Sequence, residues 1–148
     1  MSWGIKLCIE NIAMESLNVS VSTGDVTASD IICGGDITVG VSTGDLHLTN
    51  IVCKNVISQG STGDILLKNV IASEKFSLKR STGDIEFDGS DAAEIFAKTT
   101  TGDVTGSLLS EKVFTAQTGT GTVKVPKTTN GGKCEINTST GDIKIKIK

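Results

Sequence analysis

The sequence predicts an all-β chain wound as a single-stranded parallel β-helix, a right-handed β-solenoid of about seven coils of 19–20 residues plus a partial N-terminal coil. Two observations carry this. The tetrapeptide Ser-Thr-Gly-Asp stands at Ser22–Asp25, Ser42–Asp45, Ser61–Asp64, Ser81–Asp84 and Ser139–Asp142, with variants at Thr100–Asp103 and Gly119–Thr122. Its glycines (Gly24, Gly44, Gly63, Gly83, Gly102, Gly121 and Gly141) are spaced by 20, 19, 20, 19, 19 and 20 residues. Self-similarity at a fixed period of this length marks a solenoid, in which each repeat is one layer. The flanking residues alternate apolar and polar, the period of a strand with one buried face, and no segment shows the three-then-four spacing of an amphipathic helix.

The chain reads as one domain over 1–148, with 1–16 the partial first coil and 17–148 the repeats. In the partial coil, Trp3, Gly4, Ile5 and Leu7 form an apolar edge, with Ile5 and Leu7 standing 21 residues ahead of Val26 and Ala28. Each later coil begins with a strand whose inward columns are Leu17, Ile37, Val56, Phe76, Ile95, Phe114 and Cys134, then Val19, Val39, Ser58, Leu78, Ala97, Ala116 and Ile136. The tetrapeptide follows, and a second strand carries Val26, Leu46, Ile65, Ile85, Val104, Val123 and Ile143, then Ala28, Leu48, Leu67, Phe87, Gly106, Val125 and Ile145. A less regular third side has Ile31, Ile51 and Val70 inward, then Cys33, Cys53, Ala72 and Ala92. Right-handedness follows from the general bias of parallel crossovers. At the end, Ile143 to Lys148 alternates isoleucine with lysine, and charges on a last strand discourage further pairing. The C-terminal strand is therefore expected to close the stack, and the N-terminal coil to be its open edge.

The repeated tetrapeptide is expected to be structural. A turn in every coil needs a glycine where φ is positive. The neighbouring Asp25, Asp45, Asp64, Asp84, Asp103 and Asp142 can accept bonds from nearby backbone amides, as the Ser and Thr hydroxyls can more weakly. No cofactor is expected. Calcium along the aspartate column is the alternative, because a cation would relieve stacked like charges. Against it, calcium-binding β-rolls use a nonapeptide repeat, and Thr122 interrupts the column.

Composition narrows the function classes. The net charge of −3, with both signs interspersed, offers no basic face for nucleic acid. No stretch of eighteen apolar residues calls for membrane insertion, and no charged-then-apolar leader is present. As written, the chain is expected to be cytoplasmic, with a cell-envelope or surface location if an N-terminal region has been removed. Cys8, Cys33, Cys53 and Cys134 contain no Cys-x-x-Cys pair, and Cys33 and Cys53 are read as small buried hydrophobes rather than a disulfide. His47 is the one histidine and has no base partner or second ligand in the pattern, so no catalytic or metal residue is assigned.

One feature exceeds what corners and core require. Strict alternation aims Ile32, Val52 and Ile71 outward in three successive coils, with Ile57 and Phe96 outward on the preceding strand. A contiguous exposed apolar stripe marks a partner site, and Ile32, Val52 and Ile71 are the candidate surface.

The recurrent Ser-Thr-Gly-Asp-aliphatic pattern between aliphatic strands resembles a bacterial family of β-strand-repeat domains that carries an adhesin label and no established activity. The resemblance covers about Leu17 to Lys148. It implies a right-handed β-helix, often behind a leader or membrane segment, with some members tied to envelope stress and with no catalytic residues. The expected function is a non-enzymatic interaction module, an adhesin or envelope-associated scaffold that binds a protein or cell-envelope partner. The alternative is a structural protein polymerising end to end through its open N-terminal coil, in the manner of bactofilins.

Overall fold

The computed structural model describes the backbone of residues 5–128 and 130–147 and the side chains of 13, 15–128 and 130–147. Alternating apolar residues put one face of the long strands inward, and parallel stacking of the strands builds a β-solenoid of about six turns with no helix among the described residues. The strands are β1 (Ile5–Met14), β2 (Leu17–Cys33), β3 (Asp36–Thr43), β4 (Leu46–Thr62), β5 (Ile65–Thr82), β6 (Ile85–Thr101), β7 (Val104–Leu108), β8 (Lys112–Thr120), β9 (Val123–Lys124), β10 (Gly132–Thr140) and β11 (Ile143–Ile147). Like residues stand opposite like: Val26 on Leu46, Leu46 on Ile65, Ile65 on Ile85 and Ile85 on Val104. These five are buried, as are Ile31, Ile37, Ile51, Val56, Val70 and Ile95.

Phe76 and Phe87 stack inside the tube with ring centroids 6.0 Å apart. Gly106, which interrupts an aliphatic column, faces the Phe87 backbone at φ 136°, and a Cβ there would come within 1.9 Å of the Phe87 carbonyl oxygen.

The first coil sits in a different register from the one read in the sequence. Leu7 pairs with Val26 and Ile9 with Ala28, nineteen residues apart, while Ile5 faces Gly24. Alternation repeats every two residues, so a shift of two leaves the apolar parity intact and coil length decides the pairing. Trp3, Gly4 and the side chains of Ile5 and Leu7, the expected apolar edge, lie outside the described residues.

The larger departure is at the other end. From β1 to β7 each coil lies on the one before it. The chain then advances two layers through Leu109–Glu111 to β8, and its last strands return to fill the layer left between. Cys134 of β10 lies between Ile95 of β6 and Phe114 of β8, and Ile143 of β11 lies between Val104 of β7 and Val123 of β9. The corner bonds follow the same order: Gly102 N–H donates to Thr140 O and Gly141 N–H to Thr120 O, both at 2.9 Å. The lysine-bearing strand therefore does not end the stack, as the sequence led one to expect; it is paired on both sides.

Hydrophobicity accounts for the order. Cys134, Ile136, Ile143 and Ile145 are buried in the inserted layer, whereas Phe114 and Ala116 of the outer layer are half-buried and Val123 is 38% exposed. Burying an aliphatic side chain is worth about 1.5–3 kcal/mol, so the isoleucine-rich segment gains more from the inner position than the threonine-rich one would.

Candidate functional site

At each Ser-Thr-Gly-Asp corner the glycine takes a left-handed-side φ, 138° at Gly63, and a Cβ there would sit 1.8 Å from the Gly44 carbonyl oxygen. Coils thus approach each other at the glycines more closely than any side chain permits. The aspartates then form a hydrogen-bonded ladder. Asp25 Oδ1 accepts the Asp45 amide at 2.9 Å, Asp45 that of Asp64 at 2.9 Å, Asp64 that of Asp84 at 2.8 Å, and Asp84 that of Asp103 at 2.8 Å. Beyond Asp103 the ladder follows space rather than sequence: Asp103 accepts Asp142 N–H at 2.7 Å, and Asp142 accepts Thr122 N–H at 2.8 Å. Thr122 is the last rung. It stands in the outer layer, with no further amide for a carboxylate to receive, which gives a physical reason for threonine at this one position. Each aspartate serves its neighbour's backbone, and among the described residues no group of three or more His, Cys, Asp or Glu is placed to hold a metal.

A second ladder was not read from the sequence. Asp30, Asn50 and Asn69 adopt φ of 54°, 53° and 54°, a conformation that short polar side chains tolerate best after glycine. Asn50 Nδ2 donates to Asp30 Oδ1 at 3.3 Å and Asn69 Nδ2 to Asn50 Oδ1 at 3.2 Å. Its sequence signal was a polar residue every 19–20 positions just before the Ile31, Ile51 and Val70 column.

Immediately past this corner lies the apolar stripe. Ile32 is 65% exposed and Val52 53% exposed, paired with each other in adjacent coils. Ile71 pairs with Val52 on one side and with Asp91 on the other and is half-buried; Ile71 and Asp91 both line a surface hollow. Ile57 and Phe96, expected outward, are also half-buried, and Lys133 Nζ lies 5.9 Å from the centre of the Phe96 ring. The exposed part of the stripe is therefore Ile32 and Val52. His47 is exposed between Thr27 and Leu66.

Two charged residues inside the molecule escaped the sequence reading. Arg80 occupies a third inward column with Val21, Val41, Gly60 and Thr99, and it is buried. Its Nη1 donates to the Lys79 carbonyl at 3.2 Å and to Ser58 Oγ at 3.4 Å, while Nε and Nη2 have no acceptor among the described residues. Burial pulls its pKa down, and Asp45 and Asp64 oppose that shift. Ser58 and Gly60 in the preceding coil make the room: a Cβ on Gly60 would meet Nη1 at 2.6 Å. Those two small residues in otherwise aliphatic columns were the available signal.

The other is Lys112, the first residue of β8, also buried. Its ammonium donates to Asp91 Oδ1 at 2.7 Å and to Ser110 Oγ at 2.5 Å, and the Ser110 hydroxyl donates to Asp91 Oδ2 at 2.5 Å. Asp91 belongs to β6 and Lys112 to β8, so this ion pair bridges the two strands that flank β10. Gly132, the first residue of β10, permits the close approach of β10 to β6: a Cβ there would sit 1.6 Å from the Ala93 carbonyl oxygen, whereas Lys112 Cδ would be at ordinary contact distance, 3.6 Å. Cys33, Cys53 and Cys134 are buried thiols without a disulfide. Burial pushes Cys53 and Cys134 up to about 12, leaving them protonated and unreactive near neutral pH.

The family model described as Toastrack DUF4097 matches residues 14–148. The chain belongs to this family. Toastrack is a β-helix-like fold of unknown function, in agreement with the stacked coils and with the solenoid repeat family expected from the Ser-Thr-Gly-Asp pattern; an adhesin role is not part of the match. No curated protein and no solved structure matches the chain.

Proposed function

We propose that this Toastrack chain is a non-enzymatic display module, an adhesin or envelope-associated scaffold whose rigid β-helix presents Ile32 and Val52 to a protein of the cell envelope. The observation that carries the reading is the exposure of these two side chains in directly paired positions of adjacent coils, on a frame pinned by the corner glycines. Exposed apolar surface on an otherwise polar face is what protein partners cover. The test is binding of the purified chain to solubilised envelope proteins of its native host, wild type against Ile32→Ser/Val52→Ser. A loss of tenfold or more in the double variant, with unchanged melting, supports the reading. Equal binding by both proteins, or binding by neither, ends it.

A second reading, end-to-end assembly, is favoured by the outer edge of β8 and β9, which pairs with no further strand among the described residues and where Val113 is 41% and Val123 38% exposed. Exposed strand edges are templates for further pairing. Light scattering across a concentration series, with and without calcium, separates the two: growth into long species supports assembly, and a constant monomer favours display.

A further inference from the structure

We propose that the layer holding β10 and β11, between β6–β7 and β8–β9, also accepts the same segment from a second copy of this chain, so that two chains exchange residues 132–147. This goes beyond the display reading and does not depend on it.

Three observations carry the inference. First, β10 and β11 lie between strands that precede them in the chain, and β8 and β9 find their strand partners in β10 and β11. The layer is thus completed by the last segment of the chain and not by the one that follows β7. Second, the spacing of this layer is set by the rest of the chain. Leu109–Glu111 covalently steps from β7 to β8 across two layers, and the Lys112–Asp91 ion pair with Ser110 ties β8 to β6 over the place where β10 begins. Third, the complementarity is local to the segment and the strands on either side of it. Ile136 and Ile143 fill the interior, Asp103 and Asp142 continue the amide ladder across the layer, and Gly141 fits against the Gly102 carbonyl. None of these contacts depends on which chain supplies the segment; the link through residues 125–131 makes that choice. Exchange of an identical element through such a link is a low-cost route to a dimer.

The experiment uses full-length chain throughout. Equal amounts of 14N- and 15N-labelled protein are unfolded together, refolded over a range of concentrations, and examined by native mass spectrometry before and after limited trypsin cleavage at the exposed Lys127. Exchange predicts a dimer whose share rises with refolding concentration. After nicking, its mixed-label fraction holds light segments on heavy bodies and heavy segments on light ones. Monomer at every concentration, or dimers whose nicked bodies keep their own label, overturns the proposal. Two variants of the link sharpen it: deletion of residues 127–130 raises the dimer share, and a short Gly-Ser insertion after Asn130 lowers it. A dimer share insensitive to link length in variants with native circular dichroism overturns it equally.

Discussion

The coils from β2 to β7 and the layers from β8 to β11 share one repeat and one corner chemistry, yet they are assembled under different rules. In the first region, chain order and spatial order coincide, and each coil can fold onto a finished neighbour. In the second, the outer strands β8 and β9 are separated from β6 and β7 by the later strands β10 and β11, which are their strand partners. The corner geometry is the same in both, with φ of 138° at Gly63 and 147° at Gly141. What differs is the apolar content of the segments that compete for the inner position. A repeat thus specifies which residues stack in a column, and burial decides their order.

The largest effect expected from breaking this comparison is at the corner glycines. Gly63→Val puts a side chain against a carbonyl oxygen between two complete coils and should cost on the order of 3–5 kcal/mol. Gly121→Val meets Gly141 in the same way but at the open outer layer, which can shift, so its cost should be distinctly smaller. Chemical denaturation of the two variants checks this; equal losses would mean that the outer layer is as constrained as the middle.

The buried thiols give the next effect. Their folded pKa values of about 12 lie above the ordinary 9.0, so the folded state holds these protons more tightly. The stability this contributes is complete below pH 9 and is lost as pH rises toward 12. Denaturation midpoints measured from pH 7 to 11 should fall across the upper part of that range, and Cys134→Ala should flatten the fall. In native alkylation experiments, Cys134 of the inserted segment should react before Cys53 of the sequential region, because local opening of an inserted segment exposes it without unfolding the stack. Simultaneous reaction would argue that the two regions open as one unit.

The aspartate ladder distinguishes the regions more finely. Asp142→Ala removes the acceptor for Thr122 N–H and should cost about 1 kcal/mol, whereas Thr122→Ala removes no rung and should be neutral. A matching loss in both variants would refute Thr122 as the end of the ladder. Smallest of all, His47→Ala should leave melting unchanged, since the side chain is exposed.

Much of this was legible in the sequence because a solenoid repeats its reasons. Columns such as Val26, Leu46, Ile65 and Ile85 show the inward face by their chemistry alone, and glycine at one position of each coil marks a positive φ. Alternation also marked Ile32 and Val52 as outward. The same alternation failed at Ile71, Ile57 and Phe96, because how far a side chain is covered depends on what the neighbouring coil and distant residues such as Asp91 and Lys133 place over it. Arg80 and Lys112 were hidden for a related reason: a lone cation in a sequence reads as solvated unless Ser58 and Gly60, or Asp91 and Ser110, are known to lie beside it.

From sequence alone, then, followed the coil length, the inward columns, the glycine corners and the outward Ile32 and Val52, since each is decided by neighbours at a fixed separation along the chain. The order of the last layers was decided by tertiary structure. A spacing of 19 or 20 residues is satisfied equally whether the final coil lies outside or inside its predecessor. The choice falls to the difference in burial between the segment bearing Cys134, Ile136, Ile143 and Ile145 and the one bearing Phe114, Ala116 and Val123. That difference has meaning only once both segments compete for the same place.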